Sequence, residues 1–266
     1  MRPQLREYAA EVIEDFIRQK VDESRSSGVV LGLSGGIDSA VTSKLCADAL
    51  GPEKVLNLFL PSTSTPEADR KDAEDFCERF GMELKTVPIN PALDSFKKML
   101  PEMSDKQLQG NAAARCRMIV LFHYAKALDR VVMGTSNKSE LLVGYFTKFG
   151  DGGADFCPIG DLYKTEVREL GKKLEIPKAI INKVPSAGLW KGQTDEGELG
   201  LNYDDLDAIL LGIEMNLPNE AVAERTGLSL AMVEKVWSMH RSTVHKRKMP
   251  LIPKIGIRTL GLDWRE

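Results

Sequence analysis

Residues 32–39 read Gly32-Leu33-Ser34-Gly35-Gly36-Ile37-Asp38-Ser39 and follow the apolar run Val29-Val30-Leu31. Ala40, Val41, Leu45 and Leu50 continue with helical spacing, so the stretch reads as strand, glycine-rich turn and helix. A turn of that kind presents unpaired backbone N–H groups and the positive end of the helix dipole, which together attract an anion. Gly35 and Gly36 let phosphate oxygens approach the main chain. Ser34 and Ser39 can add hydroxyl donors. Asp38 would repel a bare phosphate, so its presence implies a divalent cation between the two.

The turn is neither G-x-x-x-x-G-K-[ST] nor G-x-G-x-x-G, which argues against terminal-phosphate transfer and against a bound dinucleotide cofactor. It resembles the PP-loop of the ATP pyrophosphatases, enzymes that cleave ATP between the α- and β-phosphates and hold the departing pyrophosphate on this loop.

The rest of the chain supports an α/β fold. Apolar segments at 55–60, 84–89 and 130–134 alternate with helical patterns at 67–80 and 105–128, as a parallel doubly wound sheet with helices on both faces requires. An amphipathic helix over 3–25 comes first, with Leu5, Tyr8, Ala9, Val12, Ile13, Phe16 and Ile17 on one face. Helical patterns at 203–215, 219–226 and 229–241 make the C-terminal part helical. The expected organisation is one domain over 1–266, with a nucleotide-binding core at about 26–183. A lid loop, helices and a basic tail fill 184–266. No run has transmembrane length, the N-terminus is unlike a signal peptide, and the four cysteines form no C-x-x-C, so a cytoplasmic protein is expected. A net charge of −3 argues against general nucleic-acid binding.

Ligands of doubly wound sheets sit beyond the carboxyl ends of the strands, where strand order reverses. The turns at 34–39, 61–66 and 135–140 all belong to that edge. Asn137 and Glu140 fit a capping box, but Glu140 can instead share Mg²⁺ with Asp38, ATP phosphates and water completing the octahedron. In the 105–128 helix, Ser104 and Gln107 fit a capping box, and Arg115 lies among Leu108, Ala112, Met118, Ile119 and Phe122. A guanidinium on an apolar face needs an anion: an internal ion pair, a dimer-interface partner, or a substrate phosphate or carboxylate. Arg117 points elsewhere and reads as structural. Lys148 and Asp155 lie in the glycine-rich stretch 147–155, which by itself reads as a solvated loop. Lys164 opens a helix, where it opposes the dipole and so invites an anion. Residues 184–200 form a long irregular stretch suited to a lid that excludes water.

Residues 221–229 have the look of a helix-turn-helix, but the following helix carries too few bases to read a groove. The tail is basic, with Arg241, His245, Lys246, Arg247, Lys248, Lys254 and Arg258, either as a solvated stripe or as a strap facing polyphosphate.

The ordered set G-N-A-A-A-R (110–115), G-T-S-N-K-S-E (134–140), T-K-F-G-D-G-G-A-D (147–155), P-S-A-G-L (185–189), T-D-E-G-E-L-G (194–200) and H-K-R (245–247) resembles the NAD synthetases. The resemblance implies amidation of nicotinic acid adenine dinucleotide to NAD by ammonia, through an adenylated carboxylate, with release of AMP and pyrophosphate. It implies that Gly32, Leu33, Ser34, Gly35, Gly36, Ile37, Asp38, Ser39, Thr135, Lys164 and Ser186 contact ATP. Asp38 and Glu140 would hold Mg²⁺. Arg115, Lys148, Asp155, His245 and Lys246 would contact the dinucleotide, and Asp155 would help deprotonate ammonium. It further implies a homodimer with the dinucleotide site at the interface. With no glutaminase domain in the chain, ammonia is the expected donor, with a separate glutaminase as an alternative source. The rivals are a tRNA-thiolating enzyme, a GMP synthetase and a nucleotide sensor of the same fold.

Overall fold

The computed structural model describes residues 1–190 and 192–260. Its centre is a parallel sheet of β1 (Val29–Gly32), β2 (Val55–Phe59), β3 (Glu83–Thr86) and β4 (Val131–Val132), in the order β3-β2-β1-β4. Val29 stands in register with Val55 on one side and Val131 on the other. Twelve helices lie among the described residues. The first five are α1 (Ala9–Glu23), α2 (Ile37–Leu50), α3 (Glu67–Phe80), α4 (Asn90–Met99) and α5 (Lys106–Ala127). After β4 come α6 (Lys138–Val143), α7 (Lys164–Lys173), α8 (Lys178–Ile181) and α9 (Asp195–Leu199), then α10 (Tyr203–Glu214), α11 (Asn219–Thr226) and α12 (Leu230–Ser242).

Because side chains alternate along a strand, the sheet feeds two cores. Val29, Leu31, Leu33, Val131 and Met133 pack with α1, α2, α3, α7 and α8. Val30, Leu56, Leu58 and Val132 pack on the other face, against α4 and α5. Helix α2 lies at the centre of the first core and is buried on nearly every side, which explains its lack of a polar face. A third apolar cluster joins α6, α9, α10, α11 and α12 around Tyr203, Leu206 and Val233.

The expected elements appear in order with differences at their ends, whereas α4 and α8 were not foreseen and α9 lies in the 184–200 stretch expected to be irregular. Helix α1 begins at Ala9, and its buried stripe is Ala9, Ile13, Ile17 and Val21, whereas Tyr8 and Val12 are exposed. Strand β3 stops at Thr86 because Pro88 has no N–H to donate to the ladder. Val87 N and Ile89 N still donate to Phe59 O and Pro61 O, at 2.9 and 3.0 Å. Helix α5 is capped by Asp105, which accepts from Gln107 N and Leu108 N at 2.8 and 2.9 Å, and Ser104 belongs to the preceding 3₁₀ turn. Strand β4 is short because the chain turns at Gly134, where a Cβ would lie 2.8 Å from Cys157 Sγ. Met133 nevertheless bridges in parallel to Phe156, bringing residues 154–157 alongside β4.

Candidate active site

The chain passes from β1 to β2 and β3 on one side of the sheet, then crosses back to β4 on the other side of β1. That reversal opens a crevice between the carboxyl ends of β1 and β4, the place where open α/β sheets bind ligands. The turns following these two strands, 33–36 and 134–137, form its walls.

The first turn is folded on itself by its serines. Ser34 N donates to Ser39 Oγ at 3.2 Å, Ser39 Oγ donates to Gly36 O at 2.9 Å, and Gly36 N donates to Ser34 Oγ at 3.3 Å. Gly36 is the N-cap of α2 and supplies no side-chain cap, so N–H groups of the first helical turn stay available to a ligand. Leu33 and Ile37 face the core. Their place in the turn is thus structural on the side-chain side, and only their backbone can serve a nucleotide.

Asp38 projects from the first turn of α2 and meets two residues delivered by other elements. Asn137 Nδ2 donates to Asp38 Oδ1 at 2.9 Å, and Lys164 Nζ pairs with Asp38 Oδ2. Lys164 also donates to Glu140 Oε1 at 3.2 Å. Asp38, Glu140, Asn137 and Lys164 therefore form one constellation built from α2, the β4 turn, α6 and α7. Glu140 caps α6 as foreseen and still turns one oxygen to Lys164. Its Oε2 accepts from Asn137 N at 3.4 Å, while Asn137 Oδ1 accepts from Glu140 N at 3.0 Å, completing a capping box that leaves Oε1 for the site.

Lys164 is 2 % exposed and sits 5.0 Å from the ring centroid of Tyr203. Its backbone N donates to Ser139 Oγ at 2.9 Å, and Asp207 accepts from Ser139 Oγ, Thr165 N and Thr165 Oγ1. Asp207 of α10 thus fixes the start of α7, and with it the lysine. A third carboxylate, Asp195, accepts from Tyr203 OH at 3.0 Å and Tyr145 OH at 3.2 Å. Burial pushes the Glu140 carboxyl up to about 8, with Lys164 opposing the shift and Asp38 and Asp195 adding to it. Asp195 is likewise raised by burial, against Lys164. Lys164 is held above its ordinary value because Asp38 and Glu140 outweigh the desolvation that works against it. Three carboxylates thus converge around one ammonium.

The remaining candidates occupy other places. Asp155 Oδ2 accepts from Val132 N at 2.8 Å, tying it to the end of β4. The 147–155 stretch is a tight turn: Gly150 N and Gly152 N both donate to Thr147 O, and Thr147 Oγ1 donates to Asn111 Oδ1 on α5. Lys148 Nζ donates to His245 O at 2.6 Å and Lys248 O at 3.3 Å. His245 is exposed. Lys246 Nζ donates to Gly144 O and Phe146 O at 2.7 and 2.8 Å, and Arg247 donates to Leu141 O, Leu142 O and His240 O. The basic tail is therefore stitched to the carboxyl end of α6, the helix that carries Glu140. Thr135 is half-buried in the β4 turn, and Ser186 is exposed, its Oγ accepting from Gly188 N at 3.1 Å. In the same stretch, Ser64 Oγ donates to Leu189 O at 3.4 Å. The Leu189 side chain fills the space over Gly110, where a Cβ would come within 2.9 Å.

Arg115 departs from expectation. It is exposed, and makes no ion pair among the described residues. Helix α5 turns Gly110, Ala113, Ala114, Cys116 and Ala125 inward, so Leu108 and Ile119 share the outer surface with Arg115. Arg117 is the partly buried arginine, donating from Nε to Leu60 O at 2.9 Å. Asn137 was expected only as a helix cap, and Asp195, Tyr203, Asp207 and Lys183 carried no expected role. Residues 194–199 were expected to be irregular, yet Thr194 caps α9 by accepting from Gly197 N, and nothing local showed that Asp195 would be buried.

The family model described as NAD synthase matches residues 9–250. An NH(3)-dependent NAD(+) synthetase of Methanococcoides burtonii is 44% identical over 258 residues, covering 96% of this chain and 97% of the relative. A solved structure of an NH3-dependent NAD synthetase from Campylobacter jejuni superposes with a TM-score of 0.79 at 37% identity, covering 92% of this chain and 97% of that one. The structure titled NMN synthetase from Francisella tularensis gives a TM-score of 0.83 at 38% identity, covering 93% and 98%. With a family match over most of its length and relatives of equal extent, this chain belongs to the NAD synthase family.

Proposed function

We propose that this protein forms NAD from nicotinic acid adenine dinucleotide, ATP and ammonia, releasing AMP and pyrophosphate. The observation that carries the reading is the meeting of an uncapped, glycine-rich helix N-terminus with Asp38, Glu140 and Lys164 at the switch point of the sheet.

The substrate carboxylate attacks the α-phosphate of ATP, and the bond to the β-phosphate breaks. The 34–39 turn receives the departing pyrophosphate on backbone N–H groups and the Ser34 and Ser39 hydroxyls. Ammonia then adds to the carbonyl of the mixed anhydride and AMP leaves. Positioning and charge stabilisation account for both steps, and no side-chain nucleophile is needed. In this reading Thr135 and Ser186 contact ATP, and Lys164 adds positive charge beside the phosphates. Asp155, anchored on β4, is the candidate for taking a proton from ammonium.

Asp38 and Glu140 fit Mg²⁺. They are hard oxygen donors that meet at one ammonium, and a divalent cation would favour the ionised Glu140 carboxylate that burial otherwise disfavours. Among the described residues no group of three or more His, Cys, Asp or Glu could hold a metal alone, in keeping with an ion completed by phosphate and water. Such an ion would neutralise charge on the phosphates as it develops.

The exposed face of α5, with Leu108, Arg115 and Ile119, is suited to a second copy of the chain, and pairing there would bring Arg115 to a dinucleotide shared between subunits. Lys148, His245 and Lys246 would join it from the tail side. No helix among the described residues is long and apolar enough to cross a membrane, and the four cysteines carry free thiols, as a cytoplasmic protein would.

The test is NAD and AMP production with ATP and Mg²⁺, with ammonium or glutamine in parallel tubes. A further tube replaces the dinucleotide with nicotinic acid mononucleotide, the arm suggested by the Francisella structure. NAD and AMP with ammonium support the reading. Turnover of the mononucleotide alone would redirect it to the smaller substrate, and nucleotide binding without AMP would overturn it in favour of a sensor.

A further inference from the structure

We propose that Lys183 is a positioning residue for the pyrophosphate-binding turn, holding the Gly35 carbonyl away from the anion. The inference rests on the reading of 34–39 as the pyrophosphate site. Lys183 lies just beyond α8. Its Nζ donates to Gly35 O at 2.9 Å and Asp69 Oδ1 at 2.9 Å, and pairs with Asp72 Oδ2. One ammonium thus spans the phosphate turn and the first two turns of α3.

The contact matters because of what the Gly35 carbonyl must not do. A cradle for an anion needs N–H groups turned inward and carbonyl oxygens turned away. In a trans peptide the C=O of Gly35 and the N–H of Gly36 point in opposite directions. Holding Gly35 O on Lys183 therefore keeps the Gly36 N–H on the inner side of the turn, where it donates to Ser34 Oγ. Gly35 has φ +78°, and a Cβ there would lie 2.6 Å from Asp69 O, so the turn is already pressed against α3. Nothing else among the described hydrogen bonds holds the Gly35 carbonyl. Lys183 also offsets part of the charge of Asp69 and Asp72, which would otherwise oppose an incoming polyphosphate more strongly.

The experiment compares wild type, Lys183→Met and Lys183→Arg by two readouts. One is calorimetric binding of inorganic pyrophosphate with Mg²⁺ to the free protein. The other is KM for ATP and for the dinucleotide. We expect Lys183→Met to weaken pyrophosphate binding and raise the ATP KM together by about tenfold, the scale of one charge-assisted hydrogen bond. The dinucleotide KM should stay within about twofold, and Lys183→Arg should recover most of the loss. Unchanged pyrophosphate affinity in Lys183→Met, or an equal rise in both KM values, would overturn the proposal. If Lys183→Met does not fold, Lys183→Gln takes its place. It removes the charge from the Gly35 contact, so pyrophosphate binding weakened about tenfold supports the proposal, and affinity within about twofold of wild type overturns it. A wild-type protein that binds no pyrophosphate would instead defeat the reading of the turn itself.

Discussion

Asn137 and Asp38 stand 99 residues apart in the chain, yet Asn137 Nδ2 donates to Asp38 Oδ1 at 2.9 Å. The same amide caps α6 through its oxygen, accepting from Glu140 N. A single fully buried side chain thereby fixes the spacing between the two carboxylates proposed to share Mg²⁺. This link converts two separate strand-end turns into one site.

Asn137→Ala removes the cap and the tether together. It should cost about 1–2 kcal/mol of stability, read as a lowered Tm. The ATP-dependent kcat/KM should fall by about tenfold or more, since misplacement of a positioned group is costly. Asn137→Asp restores a cap but sets a carboxylate against Asp38. It should regain much of the Tm without the activity, and full recovery of activity would show that the tether is dispensable.

Glu140→Gln separates the two roles of that residue. Glutamine is accepted at the same capping position, and it removes a charge that burial disfavours, so Tm should hold or rise. NAD formation should drop by about a hundredfold or more if the carboxylate holds the metal. The Mg²⁺ titration of the remaining rate should flatten. Activity near wild type would leave Glu140 as a cap alone.

Arg115→Ala should raise the KM for the dinucleotide by about tenfold and leave the ATP KM nearly unchanged, as loss of a contact made equally in ground and transition states would. Sedimentation of the same variant reports on the exposed face of α5. Equal effects on both substrates would point to a structural role for the arginine.

Glu214 predicts a pH effect outside the site. It accepts from Lys138 Nζ at 2.8 Å and Tyr163 OH at 2.6 Å. Partial burial works against ionisation, but these hydrogen bonds outweigh it and hold the carboxyl below its ordinary 4.5. A lowered acid stabilises the fold above its unfolded value, and the gain is lost as pH falls through the folded value. Because the side chain is 47% exposed, the gain is at most about 0.5–1 kcal/mol. The Tm difference between wild type and Glu214→Gln should therefore be present at pH 6–7 and vanish by about pH 3. A difference that persisted at pH 3 would mean that packing, not charge, is responsible.

Much of this protein is legible along the chain because local physics is periodic. The strand–turn–helix at 29–50 announces itself through an apolar run, paired glycines and helical spacing, and the parallel sheet follows from the alternation of such units. The capping pattern of Asn137 and Glu140 was readable for the same reason, since a cap depends on residues three apart. Arg115 shows the limit of that logic. Its neighbours on the helix are apolar, but which stripe of α5 meets the sheet depends on the partner surface, and small residues on the opposite stripe won the closer approach. Lys183, Asp195 and Asp207 were invisible for a related reason. Their partners, Gly35, Tyr203 and Thr165, lie 148, 8 and 42 residues away, and burial of a charge is decided only when distant elements close around it. Sequence by itself determined the strands, the long helices that alternate with them and the strand–turn–helix form of 29–50, because each arises from neighbouring residues. Only the tertiary structure decided that Asp38, Glu140 and Lys164 share one point, because that meeting depends on β4 crossing back to lie beside β1.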